Sequence, residues 1–197
     1  CGNGRYSYAL SNFNAKKVVG IDYGDEGLSI GKKIFKRKNL LFKKANLLKI
    51  PFKNNNFDFV FSNGVLHHTT NLRKGLSEIV RVCKKGGYIW LYLYGAGGLY
   101  WSSRKKMNKL MKKIPQEYSQ KILDLIGMPT NRFIFMDNWY VPIEKHTTHK
   151  EIEKILKNLN VSSVEKMISG RSTDLENGLK KYKDGKLIWG EGEIRFL

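Results

Sequence analysis

Two glycines and one carboxylate near the start of the chain have the spacing of a nucleotide-binding site. Gly2 and Gly4 precede a helix-like stretch, and Asp22 follows Gly2 by twenty residues at the end of an apolar segment. Glycine lets backbone N–H groups approach a ligand closely, and a helix N-terminus carries partial positive charge. A carboxylate at this distance can accept hydrogen bonds from ribose hydroxyls. The set predicts a site for a nucleotide-type cofactor, although a structural glycine turn followed by an unrelated acid is an open alternative.

The residue at position 7 separates two classes of cofactor. The dinucleotide fingerprint G-x-G-x-x-G needs a third glycine at that position, where this chain has Ser7. The departure weakens an NAD or FAD interpretation and favours another nucleotide-type cofactor.

Three further segments narrow the chemistry. Residues 45–52 are ANLLKIPF, residues 57–68 are FDFVFSNGVLHH, and residues 78–87 are EIVRVCKKGG. In this order and at these distances from the glycine turn and from Asp22, they closely resemble the motifs of class I S-adenosylmethionine-dependent methyltransferases. The resemblance is closest to the branch of that family that acts on small molecules.

The resemblance implies a fold, a cofactor and an activity. It is strong over residues 1–94 and weaker over 147–164 and 193–197. It implies an α/β Rossmann-like sheet, S-adenosyl-L-methionine as cofactor, and methyl transfer to a small organic acceptor. The family's first strand, with its acidic residue and first glycine, has no counterpart in the chain, so we expect an N-terminally truncated domain.

The family's cofactor-binding positions can be carried over to eight residues. They are Gly2, Asn3, Gly4, Asp22, Tyr23, Asn46, Leu47 and Ser62. By the resemblance, the glycines line the methionine and ribose, Asp22 holds the ribose, and Ser62 lies near the sulfonium. Asn46 and Leu47 meet the adenine edge. Asn46 stands where the family usually has Asp, and its amide can still accept a hydrogen bond, but without charge.

Two adjacent histidines are the catalytic candidates. His67 and His68 end the motif that, in the family, faces the transferred methyl group. They could orient the substrate or act as general base for an oxygen or nitrogen nucleophile. The alternative is that one histidine packs while the other hydrogen-bonds a loop carbonyl. His146 and His149 lie without a cysteine or acid cluster nearby, so we expect no metal site.

The elements that position these residues alternate between strands and helices. Strands are predicted at 17–22, 40–42, 57–61, 88–94, 161–168 and 193–197, and helices at 24–35, 72–83 and 150–159. Such alternation predicts a single α/β domain over 1–197 with parallel βαβ units. We expect 17–22, 57–61 and 88–94 in one sheet, with the place of the missing strand between the first two.

Residues 95–145 interrupt this alternation. Helices are predicted there at 100–114 and 116–127, as a helical cap inserted between the fifth and sixth strands of the family's sheet. Four apolar residues recur at i, i+3, i+4 and i+7: Met107, Leu110, Met111 and Ile114. This stripe favours a lid helix packed on the domain. The lysines between them leave two alternatives, a membrane lipid surface and RNA phosphates.

Charge leaves several classes of function open. The chain has 36 Lys and Arg against 17 Asp and Glu, a formal net charge of +19. Such an excess attracts anionic partners, yet Lys and Asn recur along the whole chain. A small-molecule methyltransferase, a tRNA-modifying methyltransferase and a non-catalytic nucleotide- or RNA-binding module all fit.

The cysteine content and the hydropathy indicate a cellular compartment and the kind of membrane contact to expect. Two cysteines are too few for a disulfide framework, which favours a cytoplasmic protein. No apolar run reaches the roughly 20 residues of a membrane span, so any membrane contact would be peripheral.

Overall fold

The computed structural model describes residues 1–128, 132–171 and 174–197. In chain order its elements are α1 (Arg5–Ser11), β1 (Val18–Asp22), α2 (Asp25–Ile34), β2 (Leu40–Lys44), β3 (Phe57–Asn63), a 3-10 turn (Leu66–His68), α3 (Leu72–Val82), β4 (Cys83–Tyr94), α4 (Gly98–Met111), α5 (Gln116–Leu125), α6 (Arg132–Tyr140), α7 (His149–Asn158), α8 (Leu175–Lys181), α9 (Gly185–Trp189) and β5 (Glu193–Phe196). The predicted α/β class is confirmed. No helix within these ranges is long and apolar enough to cross a bilayer.

The described strands form two hydrogen-bonded sheets. β1 pairs with β2 in parallel, and β3 pairs with β4 in parallel. β5 completes the second sheet as an antiparallel neighbour of β4. Contact between the rings of Tyr6 and Phe61, whose centroids are 5.5 Å apart, links α1 to β3. In the described residues, 17–22 and 57–61 share no hydrogen bonds, so they do not form one continuous hydrogen-bonded sheet. The expected place for a strand between them stays a prediction.

The main core lies on one face of the second sheet. Helix α3 is strongly amphipathic, and α7 begins with a capping box in which Thr148 and Glu151 exchange hydrogen bonds. Such a box satisfies two N–H groups that the helix start would leave unpaired. The central buried side chains are Leu66, Leu76, Ile79, Leu91, Leu93, Ile152, Ile194 and Phe196. These contacts fix the carboxyl ends of β3 and β4 relative to the helices.

Several predicted elements differ from the structure. β4 begins at Cys83, directly after α3, although the sequence predicts this strand only from residue 88. Residues 161–168 form no regular strand; Glu165 exchanges two backbone hydrogen bonds with Leu197, and Met167 donates one to Arg195. Residues 165–167 therefore pair irregularly with β5 and the residue after it, without forming a strand. Helices α6, α8 and α9 occupy stretches for which the sequence predicts no element.

Helix α4 turns Trp101 and several polar side chains inward, so the predicted lid stripe does not pack on the domain as a whole. Trp101 is 3% exposed and Met111 is half-buried, while Met107, Leu110 and Ile114 are exposed. The inward face also carries Arg104, which pairs with Glu144, and Asn108, whose amide donates to three carbonyl oxygens at residues 138, 139 and 141. Those polar partners determine which face turns inward.

Candidate functional site

The carboxyl ends of β1 and β2 form an open, backbone-built site. We call residues Gly2 to Gly4, Asp22 and Asn46 the glycine edge. The Gly2 N–H donates to Asp22 Oδ2 at 2.7 Å and the Gly24 N–H to Oδ1 at 2.9 Å. The Cys1 backbone nitrogen also lies 2.7 Å from Oδ2. These bonds hold the carboxylate directly beside the glycine turn.

Asp22 carries its charge at neutral pH. Burial raises the pKa of Asp22, while hydrogen bonds donated by the Gly24 and Gly2 backbone N–H groups lower it. The side chain remains 28% exposed. A carboxylate has about four acceptor positions, and three are used here, so it can accept at least one further hydroxyl.

Close packing around the glycine turn requires the absence of side chains. Gly4 has φ +84°, and a Cβ there would lie 2.3 Å from the ring of Phe42. On α2, a Cβ at Gly27 or Gly31 would lie 2.8 or 2.7 Å from the backbone of Gly2 or Asn3. The sequence analysis missed this second pair. Its signal is two glycines spaced i, i+4 on the helix that follows the acidic strand.

Three other predicted cofactor residues flank this edge. The Ala45 N–H donates to the Asp22 carbonyl at 2.8 Å, which brings Asn46 next to the carboxylate strand. Asn46 is exposed, and its Oδ1 accepts from the Leu48 N–H at 2.8 Å. Leu47 is half-buried against the core, and Tyr23 is 73% exposed. Asn46 thus keeps its amide donors and one lone pair for a ligand.

The carboxyl ends of β3 and β4 form a second, buried site. We call Ser62, His67, His68 and Tyr94 the histidine edge. His67 is 1% exposed and stacks on Tyr94 with centroids 3.7 Å apart. Neither of its ring nitrogens, nor Ser62 Oγ, has a hydrogen-bond partner among the described residues. Buried polar atoms of this kind are uncommon in proteins and favour a functional explanation.

The two histidines differ in what they can do with a proton. Burial, followed by the neighbouring His68, Arg104 and His146, lowers the pKa of His67 to about 2, so its ring is neutral. His68 Nδ1 lies 2.8 Å from the Ile143 carbonyl oxygen. Because a carbonyl only accepts, Nδ1 carries a proton, and a neutral form of the ring then has its lone pair on Nε2. One histidine thus packs while the other bonds a loop carbonyl.

A buried ion cluster supports the histidine edge. Arg104 donates to Glu144 Oε2 from Nε at 3.1 Å and from Nη2 at 2.9 Å, and His146 Nε2 contacts Oε1 at 2.8 Å. Arg104 also lies over the Tyr94 ring, 4.4 Å from its centroid. Burial raises the pKa of Glu144, but His146 and Arg104 outweigh it and hold the pKa below its ordinary value. No sequence pattern connects Arg104 with Glu144, so the sequence analysis missed the cluster.

His146 and His149 each contact one glutamate side chain in the described part of the chain. His146 contacts Glu144 and the Gly95 carbonyl oxygen, and His149 Nδ1 lies 2.8 Å from Glu191 Oε2. No three His, Cys, Asp or Glu side chains in that part are grouped to hold a metal ion.

Part of the chain is similar to a known family. Residues 1–91 match the sequence profile of a family described as "Methyltransferase domain". The matched residues contain the glycine edge and, of the histidine edge, Ser62, His67 and His68.

Two relatives and one solved structure illustrate the similarity. The demethylmenaquinone methyltransferase of Lactococcus lactis is 34% identical over 94 residues, covering 45% of this chain and 37% of that protein. The tRNA U34 carboxymethyltransferase of Campylobacter curvus is 28% identical over 142 residues, covering 70% of this chain and 46% of that protein. A structure of a complex between the Haloferax volcanii Trm112 methyltransferase activator and a methyltransferase has TM-score 0.62 and 14% identity, covering 99% of this chain and 76% of that one. The chain spans less than half the length of the two relatives.

The groups at the two edges can be compared with what a nucleotide-type cofactor needs. The glycine edge supplies an ionised, partly exposed carboxylate beside a turn with positive φ at Gly2 and Gly4. Ser62 adds a buried hydroxyl without a partner among the described residues, next to the end of β3. Ser7 is buried, and a Cβ at Gly20 would come within 2.7 Å of its Oγ. Its side chain therefore belongs to the packing of α1 on β1.

Proposed function

We propose that this domain transfers a methyl group from S-adenosylmethionine to a small organic acceptor. The observation that carries the proposal is the Asp22 carboxylate, held by the Gly2 N–H at 2.7 Å at the carboxyl end of β1. The cofactor supplies an activated methyl sulfonium, so the chain itself needs to bind, align and exclude water. Alignment of this kind is worth roughly 7–11 kcal/mol in well-oriented reactions.

The glycine edge is the proposed cofactor site. Asp22 accepts the ribose hydroxyls, and the backbone of Gly2, Asn3 and Gly4 lines the methionine and ribose. Asn46 and Leu47 meet the adenine edge, and the exposed Tyr23 ring lies directly after the carboxylate in sequence. Ser62 has a free hydroxyl for the methionine end. The exposure of Asp22 and Asn46 supports these roles, since both can be reached from solvent.

The histidine edge is the proposed acceptor site. His68 is the better candidate for general base, because its Nε2 lone pair has no partner among the described residues and can take a proton from an oxygen or nitrogen nucleophile. His67 is a positioning residue in this proposal. Its neutral ring stacks on Tyr94 and leaves two nitrogens able to hydrogen-bond a substrate. Arg104 and Glu144 fix Tyr94 from the other side.

A tRNA acceptor is the second candidate. The similarity to the tRNA U34 carboxymethyltransferase extends over 142 residues, further along the chain than the similarity to the demethylmenaquinone methyltransferase over 94 residues. The net charge of +19 would also suit a phosphate backbone. The two candidates are separated by supplying the intact protein with labelled cofactor and either total tRNA or a small-molecule extract.

The cofactor assignment is tested by calorimetry on the intact protein. Wild type should bind S-adenosylhomocysteine and not NAD. Asp22→Ala should lose charge-assisted hydrogen bonds worth about 2–4 kcal/mol, or about thirtyfold to several hundredfold in affinity. Asp22→Asn should lose less, because its amide oxygen still accepts.

The matched control is Asp25→Ala. Asp25 is an exposed acid three residues further along whose partner is Lys44, so affinity should stay near that of wild type. Binding of NAD but not S-adenosylhomocysteine, or normal binding by Asp22→Ala, would refute the assignment.

A further inference from the structure

The outer face of α4 carries aliphatic side chains that the fold leaves in water. Leu99 is 62% exposed and Leu110 55%, and Met107 and Ile114 are also exposed. Met107, Leu110 and Ile114 are spaced i, i+3 and i+7, so they form one stripe along the helix and its final turn. We call these four residues the α4 apolar stripe. A stripe of this kind in water is unfavourable unless another apolar surface covers it.

Lysines flank the α4 apolar stripe. Lys106 precedes Leu110 by four residues and Lys113 follows it by three, so both are its neighbours on the helix surface. Residues 98–114 contain no Asp or Glu. Four exposed lysines of this segment pair with no acidic side chain in the described parts of the chain: Lys105, Lys106, Lys109 and Lys113. The stripe is therefore bordered by uncompensated positive charge.

A groove continues the stripe toward α9. It has a volume of about 400 Å³, and Leu99 and Lys106 belong both to it and to the outer face of α4. Ile188 and Trp189 form its other wall. Trp189 Nε1 is buried without a hydrogen-bond partner within the described ranges, so the indole contributes an apolar wall to the groove. Tryptophan is enriched where proteins meet the boundary between water and lipid.

We propose that the α4 apolar stripe and its lysines dock on the surface of an anionic lipid bilayer. The aliphatic side chains enter the acyl region, the lysines meet the lipid phosphates, and the groove takes part of an acyl chain. RNA phosphates would satisfy the lysines but leave the four aliphatic side chains in water. An anionic lipid surface accounts for both features. Methyl transfer does not require this contact, so the inference goes beyond the proposed function.

The test is sedimentation of the intact protein with vesicles of phosphatidylcholine alone or mixed with phosphatidylglycerol. Binding should require the anionic lipid and weaken with salt. The triple variant K106E/K109E/K113E should lose at least about fivefold in partitioning for each lysine changed, since each contributes about 1 kcal/mol near such a surface. The double variant M107S/L110S should lose about tenfold or more while keeping every charge.

Matched variants at the end of α2 and just after it are the controls. The triple variant K32E/K33E/K36E removes the same charge, and Ile34→Ser removes an aliphatic side chain that is 63% exposed. Both should keep vesicle binding close to wild type. Equal losses in the two lysine triples, absence of vesicle binding, or binding to total tRNA that only the α4 lysine variant loses would each overturn the proposal. S-adenosylhomocysteine affinity, measured in every variant, reports separately on the proposed methyl transfer.

Discussion

The glycine edge and the histidine edge are formed by different kinds of chemical groups. At the glycine edge, backbone N–H groups of Gly2 and Gly24 hydrogen-bond one carboxylate, that of Asp22. At the histidine edge the polar groups are side chains, and His68 contacts the Ile143 carbonyl oxygen, 75 residues further along the chain. The first site depends on local geometry, while the second depends on long-range pairing of charges.

The difference lies in how each edge satisfies its polar atoms. Asp22 has three donors and remains reachable from solvent. By contrast, Ser62 Oγ, both nitrogens of His67 and Trp101 Nε1 are buried without a partner among the described residues. Each such atom costs about 1–3 kcal/mol. Neighbouring contacts must therefore offset this cost at the histidine edge. The ion cluster of Arg104, Glu144 and His146 is such a contact, so a single change in it should lower the free energy of unfolding the most.

Glu144→Ala should be the most destabilising change. It leaves the Arg104 guanidinium, whose side chain is 10% exposed, without its carboxylate. Breaking one partner of a buried pair costs about 3–5 kcal/mol. Chemical denaturation should show this loss in the free energy of unfolding. The double variant R104M/E144L should recover most of it, because a buried pair can be replaced by apolar packing.

The exposed pair of Asp58 and Lys84 is the control for that measurement. Asp58→Ala should change stability little, since solvent screens such pairs. If Glu144→Ala were no more destabilising than Asp58→Ala, the ion cluster would have no role in supporting the histidine edge.

His67 should make the free energy of unfolding depend on pH between about pH 5 and 7, where carboxylates titrate little. Its folded pKa of about 2 lies below the ordinary 6.5, so the unfolded chain binds the proton more readily as pH falls below 6.5. Stability should therefore decrease on acidification, by about 2 kcal/mol at pH 5 relative to pH 7. In His67→Phe this part of the slope should vanish. Denaturation curves at both pH values check it, and an unchanged slope in the variant would contradict the burial of a neutral His67.

The same contrast explains what the sequence could predict. Gly2, Gly4 and Asp22 are recognisable because the glycine turn, the strand and the acid are consecutive, and β1, α2, β2 and α3 follow from local apolar spacing. Spacing also predicts the stripe on α4, but it cannot say which face turns inward. That is decided by Arg104 meeting Glu144 and by Asn108 meeting carbonyl oxygens near residue 140. Division into two sheets and the irregular pairing of 165–167 likewise depend on pairing between distant residues.

The smallest expected effect on stability belongs to Gly31→Ala, at the glycine edge. Two contributions oppose each other. Alanine in a helix is favoured over glycine by up to about 1 kcal/mol. Its Cβ, however, would lie 2.7 Å from the Asn3 carbonyl oxygen and 3.3 Å from the Phe42 ring. Since a backbone atom is involved, the glycine turn must move to relieve the contact, and the free energy of unfolding should change by less than about 1 kcal/mol.

Cofactor binding, unlike stability, should respond to Gly31→Ala. Moving the turn separates the Gly2 and Asn3 backbone from Asp22, so affinity for S-adenosylhomocysteine should fall by about fivefold, equivalent to about 1 kcal/mol. Ser29→Ala is the control, because Ser29 is exposed on the same helix and gains helix propensity without touching the turn. Calorimetry and denaturation on both variants separate the two quantities. If Gly31→Ala were more stable than wild type and bound S-adenosylhomocysteine normally, the glycine turn would not pack against α2. The backbone of Gly2 and Asn3 would then not form this edge in the way described.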